Sequence, residues 1–220
     1  MNWTEVLSES GQIHAMSATT AASHAVHPLP FDPAIGQATA GKIGMWIFLI
    51  SDAFSFGGFL LAYGILRGGA EVWRHPGEPI LGINFTAGLT FLLICSSVTM
   101  VMAVANAAEG NRSRVSRWLA LTALGGALFL AGQYQEYFGI WSHGLSKEGL
   151  IFGRSAYAST FYLVTGFHGA HVLSGTIYIL IVLLRNTAGK ANANDIEILG
   201  LFWHFVDLVW ILVFTFIYLL

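Results

Sequence analysis

Tyr157-Ala-Ser-Thr-Phe-Tyr-Leu-Val-Thr-Gly-Phe-His-Gly-Ala-His-Val-Leu-Ser-Gly-Thr-Ile-Tyr-Ile-Leu-Ile-Val-Leu-Leu-Arg185 carries no Asp, Glu, Lys or Arg before its last residue. A helix needs about 20 predominantly apolar residues to cross a hydrocarbon core, and this stretch exceeds that. Working outward from it, four more runs qualify, so the spans are placed at 43–66, 81–107, 117–137, 157–185 and 196–220. The second and fourth exceed a straight crossing, which implies tilt or a protruding end. The chain of 220 residues is 55% hydrophobic and 10% charged, with a mean hydropathy of +0.64. A soluble domain carries about 25% charged residues, so lipid is the solvent for most of this one. The fold class is all-α: a polytopic membrane protein, one bundle of five transmembrane helices.

Residues 1–42 form a polar, His-bearing arm containing Pro28, Pro30 and Pro33. The arm lacks a signal-peptide pattern, and the run after it is too long for a signal h-region. The connections 67–80, 108–116, 138–156 and 186–195 leave no room for a soluble domain. A net charge of −2 provides no basic face for nucleic acid, and the single Cys95 allows no disulfide framework. Counting Lys and Arg sets the orientation. Lys42, Arg112, Arg114, Arg117, Arg185 and Lys190 fall on one side, and Arg67, Arg74, Lys147 and Arg154 on the other. The N-terminus is therefore expected in the cytoplasm and the C-terminus outside. Trp46, Trp118 and Trp141 near span ends fit an aromatic belt.

The informative residues are polar ones at membrane depth. Asp52 lies mid-depth on the first span, His168 and His171 on the fourth, His204 and Asp207 on the fifth, with Gln133 and Glu136 near the outer end of the third. A charged group at the bilayer centre costs about 2.5–3.5 kcal/mol on insertion scales. His168/His171, His204/Asp207 and Gln133/Glu136 are each i,i+3 and so share a helix face. The plain expectation is a polar layer inside the bundle, with carboxylates bonded to imidazoles across helices. Asp52 is expected to be a neutral acid hydrogen-bonded to His168, His171 or His204. The glycines 57, 58, 125, 126, 166, 169 and 175 are expected to let helix backbones approach. Three functional readings compete with a purely structural layer. One is haem ligation by His168 or His171 with His204. Another is a proton or ion path through Asp52 and Asp207. The third is a lipid or partner site with Asp52 as a reactive buried acid.

Tyr157 to Val172 resembles the signature "STFF-x-x-TGFHGLHV" of subunit III of haem-copper terminal oxidases, and Phe202-Trp-His-Phe-Val-Asp-Leu-Val-Trp210 resembles its "WHFVDxVW". Gln133-Tyr-Gln-Glu-Tyr137 is similar to the family's "Q-x-x-EY", and Gly44-Met-Trp-Ile-Phe-Leu-Ile-Ser-Asp52 to its "W-x-FLxSE". Glu197, seven residues before His204, and Arg185 at the end of the fourth span also fit. The resemblance runs from about residue 41 to the end. Mitochondrial members have seven helices, and this chain resembles the short five-helix bacterial form. Asp52 stands where the family often has Glu, as in quinol-oxidase members, whereas Gly132 to Tyr137 with Ser142-His-Gly144 look more like bacterial cytochrome c oxidases.

The resemblance implies an accessory subunit without haem, copper or other metal, next to the catalytic subunit I and subunit II, which hold those cofactors. It further implies bound phospholipid, with Arg185 and Glu197 as lipid-binding positions, support of proton uptake, and endurance of the complex in turnover. Cytochrome c is preferred to quinol as the electron donor. The location implied is the bacterial cytoplasmic membrane. A haem-binding cytochrome subunit and a solitary transporter are the remoter alternatives.

Overall fold

The computed structural model describes residues 39–74, 76, 78–79, 81–139 and 144–220. In hydrocarbon every backbone N–H and C=O must find a partner within the chain, which leaves long helices as the solution for apolar runs of this length. Five such helices form among the described residues: α1 (Ala40–Gly69), α2 (Ile83–Ala108), α3 (Arg112–Phe138), α4 (Ala156–Thr187) and α5 (Ala193–Phe214). The chain beyond α5 continues as a π-helical turn, Thr215–Leu219. All five are long and apolar enough to span a membrane, and no strand occurs among the described residues. The expected arm, residues 1–42, lies outside the described residues except for its end, where Ala40 to Lys42 already belong to α1.

The third and fifth helices begin ahead of the expected spans. The third helix begins at Arg112, not 117, and the fifth at Ala193, not 196. Hydropathy marks only the apolar middle, while caps mark the ends. The side chain of Asn111 accepts from Arg114 N, that of Ser155 from Ala158 N, and Asn192 forms a capping box with Asp195. Arg112, Arg114 and Arg117, expected in or beside a loop, therefore sit on the first turns of α3. Gly139, with φ +59°, closes α3 in the left-handed conformation that an L side chain resists.

Helices α2, α3, α4 and α5 close a ring, each packed on two neighbours, and α1 lies outside it against α4 and α5. The ring's centre is Trp203, Trp210, Phe129, Phe161, Leu93 and Met100, all fully buried. Trp203 occupies a slot between helices. A Cβ on Gly126 would lie 2.7 Å from its ring, and one on Gly175 would lie 3.0 Å away. Gly125 meets the Ser96 side chain in the same way, at 2.7 Å. The packing role expected of the glycines thus holds for 125, 126, 169 and 175. It fails for Gly57, Gly58 and Gly166, which have nothing within 4 Å of a Cβ position. Gly57 and Gly58 lie on α1, the helix with open flanks, so no neighbouring backbone uses the space they leave.

Candidate functional site

The polar residues at membrane depth separate into clamps between particular helices instead of one layer. The first joins α1 to α4: His171 Nε2 lies 3.3 Å from Asp52 Oδ1, with Asp52 only 7% exposed. His171 Nδ1 lies 2.8 Å from the Phe167 carbonyl oxygen, an acceptor only, so Nδ1 carries hydrogen. One further proton then lies between Nε2 and Oδ1, as a carboxylic acid facing imidazole or a carboxylate facing imidazolium. Either way the pair is neutral overall, the condition for burial at this depth. Of the three histidines expected as partners for Asp52, the structure selects His171.

His168 goes elsewhere. It is fully buried, its ring stacked on Trp210 with centroids 4.7 Å apart and edge-on to Phe129 at 5.8 Å. Neither ring nitrogen has a protein partner. Sharing a face with His171 did not give a shared role, because α4 packs on α1 and on the ring core at once. A residue at one edge of its buried face meets α1, and a residue at the other meets the ring core.

The second clamp joins α5 to α2. Ser97 Oγ on α2 is 2.6 Å from His204 Nδ1 on α5. Beside this, Trp203 Nε1 donates to Ser96 Oγ (3.1 Å) and Trp210 Nε1 to Thr90 Oγ1 (2.9 Å). His204 thus bonds α2 through Ser97, and neither it nor Asp207 bonds a group on α1. Asp207 Oδ1 has no partner, nor does Asp52 Oδ2. Among the described residues the expected carboxylate–imidazole layer is therefore corrected to a single cross-helix pair, Asp52–His171.

The third clamp comes from the Gln133-to-Tyr137 stretch. Gln133 Nε2 donates to Tyr137 Oη (3.1 Å) and to the Thr165 carbonyl (3.3 Å), and Tyr137 Oη donates to Thr165 Oγ1 (2.6 Å). Those bonds tie α3 to α4. Glu136, one residue away, turns toward α2 and the π-helical turn, where Thr86 Oγ1 (2.9 Å) and Tyr218 Oη (3.0 Å) meet its two carboxyl oxygens.

At the end of the bundle that holds the start of α1, Lys42 Nζ pairs with Glu197 Oε2 at 2.7 Å and Arg185 Nη2 with Asp195 Oδ2 at 3.2 Å. At the other end, Arg67 Nη1 donates to Tyr63 Oη (2.9 Å) and Nη2 to the Leu220 backbone oxygen. Trp141, Ser142 and His143 lie outside the described residues.

Sequence reasoning missed Thr86, Thr90, Ser96, Ser97, Thr165 and Tyr218. Hydroxyls are near neutral in hydropathy and bond to their own helix when unused, so nothing in a single helix marks them. One signal was available: Trp203 and Trp210, seven apart on one helix face, each bring an N–H that needs an acceptor once buried.

His168, His171 and His204 each make contacts within the bundle. His168 is walled by aromatic rings, His171 is committed at both nitrogens, and His204 is engaged by Ser97. No group of three or more His, Cys, Asp or Glu among the described residues is gathered as a metal site.

The family model described as "Cytochrome c oxidase subunit III" matches residues 34–220. Cytochrome c oxidase subunit 3 of Corynebacterium diphtheriae is 36% identical over 191 residues, which cover 84% of this chain and 90% of that protein. The probable cytochrome c oxidase subunit 3 of Nocardia farcinica is 38% identical over 181 residues, 80% of this chain and 86% of that protein. Cytochrome bo(3) ubiquinol oxidase subunit 3 of Pseudomonas putida is 36% identical over 188 residues, 84% of this chain and 87% of that protein. The membrane-spanning bundle and these matches coincide over the same residues, and the chain belongs to the cytochrome c oxidase subunit III family, a multi-pass membrane subunit of haem-copper oxidases.

Proposed function

We propose that this chain is an accessory subunit without a redox centre of its own, in a proton-pumping oxidase whose haem and copper lie in subunits I and II. The observation that carries this reading is the use made of the buried polar groups. Histidines and acids that could have served as ligands are engaged in bonds between helices or packed against rings. Such bonds fix the relative rotation of helices that lipid alone would not order. A rigid bundle of this kind supports a catalytic neighbour by holding shape, protein contacts and lipid beside it.

Phospholipid is the expected small partner. Arg185 is half exposed at the last turn of α4, where a guanidinium fork suits a phosphate headgroup. Glu197, carried as a second lipid position, bonds Lys42 instead; its part in such a site is to hold that ammonium. The bundle sits in the bacterial cytoplasmic membrane with its N-terminus inside, and Asp52 serves the fold and the neighbouring subunit's proton supply. Cytochrome c is the favoured donor, because several cytochrome c oxidase subunits are among its similar relatives. The similarity to a ubiquinol oxidase subunit keeps quinol as the second reading.

The test is to strip this subunit from the purified oxidase and assay haem, copper and turnover in both fractions. All metal should stay with the remaining subunits, which should still reduce oxygen but lose activity sooner during turnover. Haem or copper at unit stoichiometry in the separated chain would overturn the reading. Electron donation by cytochrome c against quinol in the intact complex decides the donor.

A further inference from the structure

Three buried carboxyls lie within the spans, and only one has both oxygens bonded to other helices. Asp52 and Asp207 each leave an oxygen without a partner. Glu136, 8% exposed, leaves none: Thr86 Oγ1 on α2 is 2.9 Å from Oε1, and Tyr218 Oη is 3.0 Å from Oε2. The π-helical turn Thr215–Leu219 makes this possible. It carries Tyr218 at a wider winding than α5 and leaves its side chain buried over the acid. The titratable groups that feel a charge on Glu136 are Tyr137 on α3, Tyr162 on α4 and Tyr218 itself, all neutral when protonated. No Lys, Arg or His among the described residues pairs with it.

The cost of a buried charge decides the form of the acid. The Thr86 hydroxyl has one hydrogen and two acceptors in reach, Glu136 Oε1 at 2.9 Å and the Gly82 carbonyl at 3.2 Å. An ionised Glu136 would take that hydrogen and the Tyr218 hydrogen, leaving a buried charge held by two neutral hydroxyls. The penalty for burying an ion without a counter-charge exceeds what two neutral hydrogen bonds return. A protonated Glu136 satisfies the same groups without that charge. Tyr218 O–H donates to Oε2, Oε1–H donates to Thr86 Oγ1, and Thr86 O–H donates to the Gly82 carbonyl. Every hydrogen finds an acceptor, and no charge is left in the membrane.

We propose that Glu136 is a proton-binding site, a carboxylic acid that keeps its proton at neutral pH and with it pins α2, α3 and the π-helical turn after α5 together. The proton is a structural part of the bundle. Removing it places an uncompensated charge at the point where three segments meet.

Infrared spectroscopy on the assembled oxidase tests this independently of oxygen reduction, and so independently of the accessory role. The spectrum of the parent complex minus that of Glu136→Gln should contain the carbonyl band of a protonated carboxylic acid. The band should shift on exchange into D2O and persist unchanged from mildly acid to mildly alkaline buffer. Tyr218→Phe should move it to higher wavenumber, because the carbonyl loses its donor; this shift alone decides the matter if Glu136→Gln does not assemble. Carboxylate bands in place of the acid band, loss of the band in mildly alkaline buffer, or a band indifferent to Tyr218→Phe would each overturn the proposal.

Discussion

Helix α1 and the ring of α2 to α5 are built from the same apolar residues but are held by different means. Of the 30 residues in α1, only Leu49, Asp52, Phe56 and Tyr63 are buried. Their spacing traces one narrow stripe, extended at its ends by Lys42 and Arg67. The ring instead buries two tryptophans, many aliphatics and its glycine contacts. In lipid no hydrophobic force drives one apolar helix onto another. Close packing serves the ring, where Gly126 and Gly175 let Trp203 in. The glycines of α1 have open space, so α1 is held by ring contacts of Phe56 and Phe59 on Phe167 and by polar bonds at three depths: Lys42–Glu197, Asp52–His171 and Arg67–Leu220.

The comparison breaks first at the ring's slot. Gly126→Leu would drive a side chain into Trp203 and Thr176, whose atoms lie 2.6–2.7 Å from a Cβ there. No rotamer escapes both. The expected result is loss of the subunit from the purified oxidase, read by its stoichiometry on a gel. Trp203→Ala removes the other half of the contact, and truncating a buried Trp costs about 3–5 kcal/mol. The counterpart on α1, Gly57→Leu, should assemble normally within the bundle itself. If both glycine variants behaved alike, the distinction between the two regions would fall.

A smaller effect is expected at the middle clamp. Asp52→Ala leaves His171 Nε2 without its partner and should lower the melting temperature of the complex. An unsatisfied buried group costs about 1–3 kcal/mol. Asp52→Asn should recover most of that, because the amide can donate to Nε2 while His171 keeps its hydrogen on the Phe167 carbonyl side. The same variant should retain oxygen reduction and proton pumping. Complete loss of pumping in a fully assembled Asp52→Asn oxidase would show that the acid lies on an obligatory proton route.

The smallest effects belong to the exposed pairs. Lys42→Ala should change the melting temperature little, since partly exposed ion pairs contribute roughly 0–1 kcal/mol. Arg185→Leu should likewise leave stability nearly unchanged but lower the phospholipid retained by the purified complex, measured as phosphorus per haem. Unchanged phosphorus would count against a headgroup at Arg185.

Much of this was legible along the chain because lipid imposes a rule that single residues can satisfy or break. Runs free of charge had to be helices, and five of them had to form a bundle. Asp52, His171, His204 and Glu136 stood out by being expensive where they were. The order of motifs also indicated the family. What a linear reading could not assign was partnership. Residues 168 and 171 are equivalent by period, yet one packs on Trp210 and the other meets Asp52, because only the placement of α1 and of the ring core around α4 separates them. Gly57 and Gly126 are alike as letters, and only packing shows which one a neighbour fills. Composition and period thus determined the class of fold, its helices and the set of polar residues that needed partners. Tertiary structure decided which partner each received, because a hydrogen bond between helices depends on relative rotation and depth, and these are set by all five helices together.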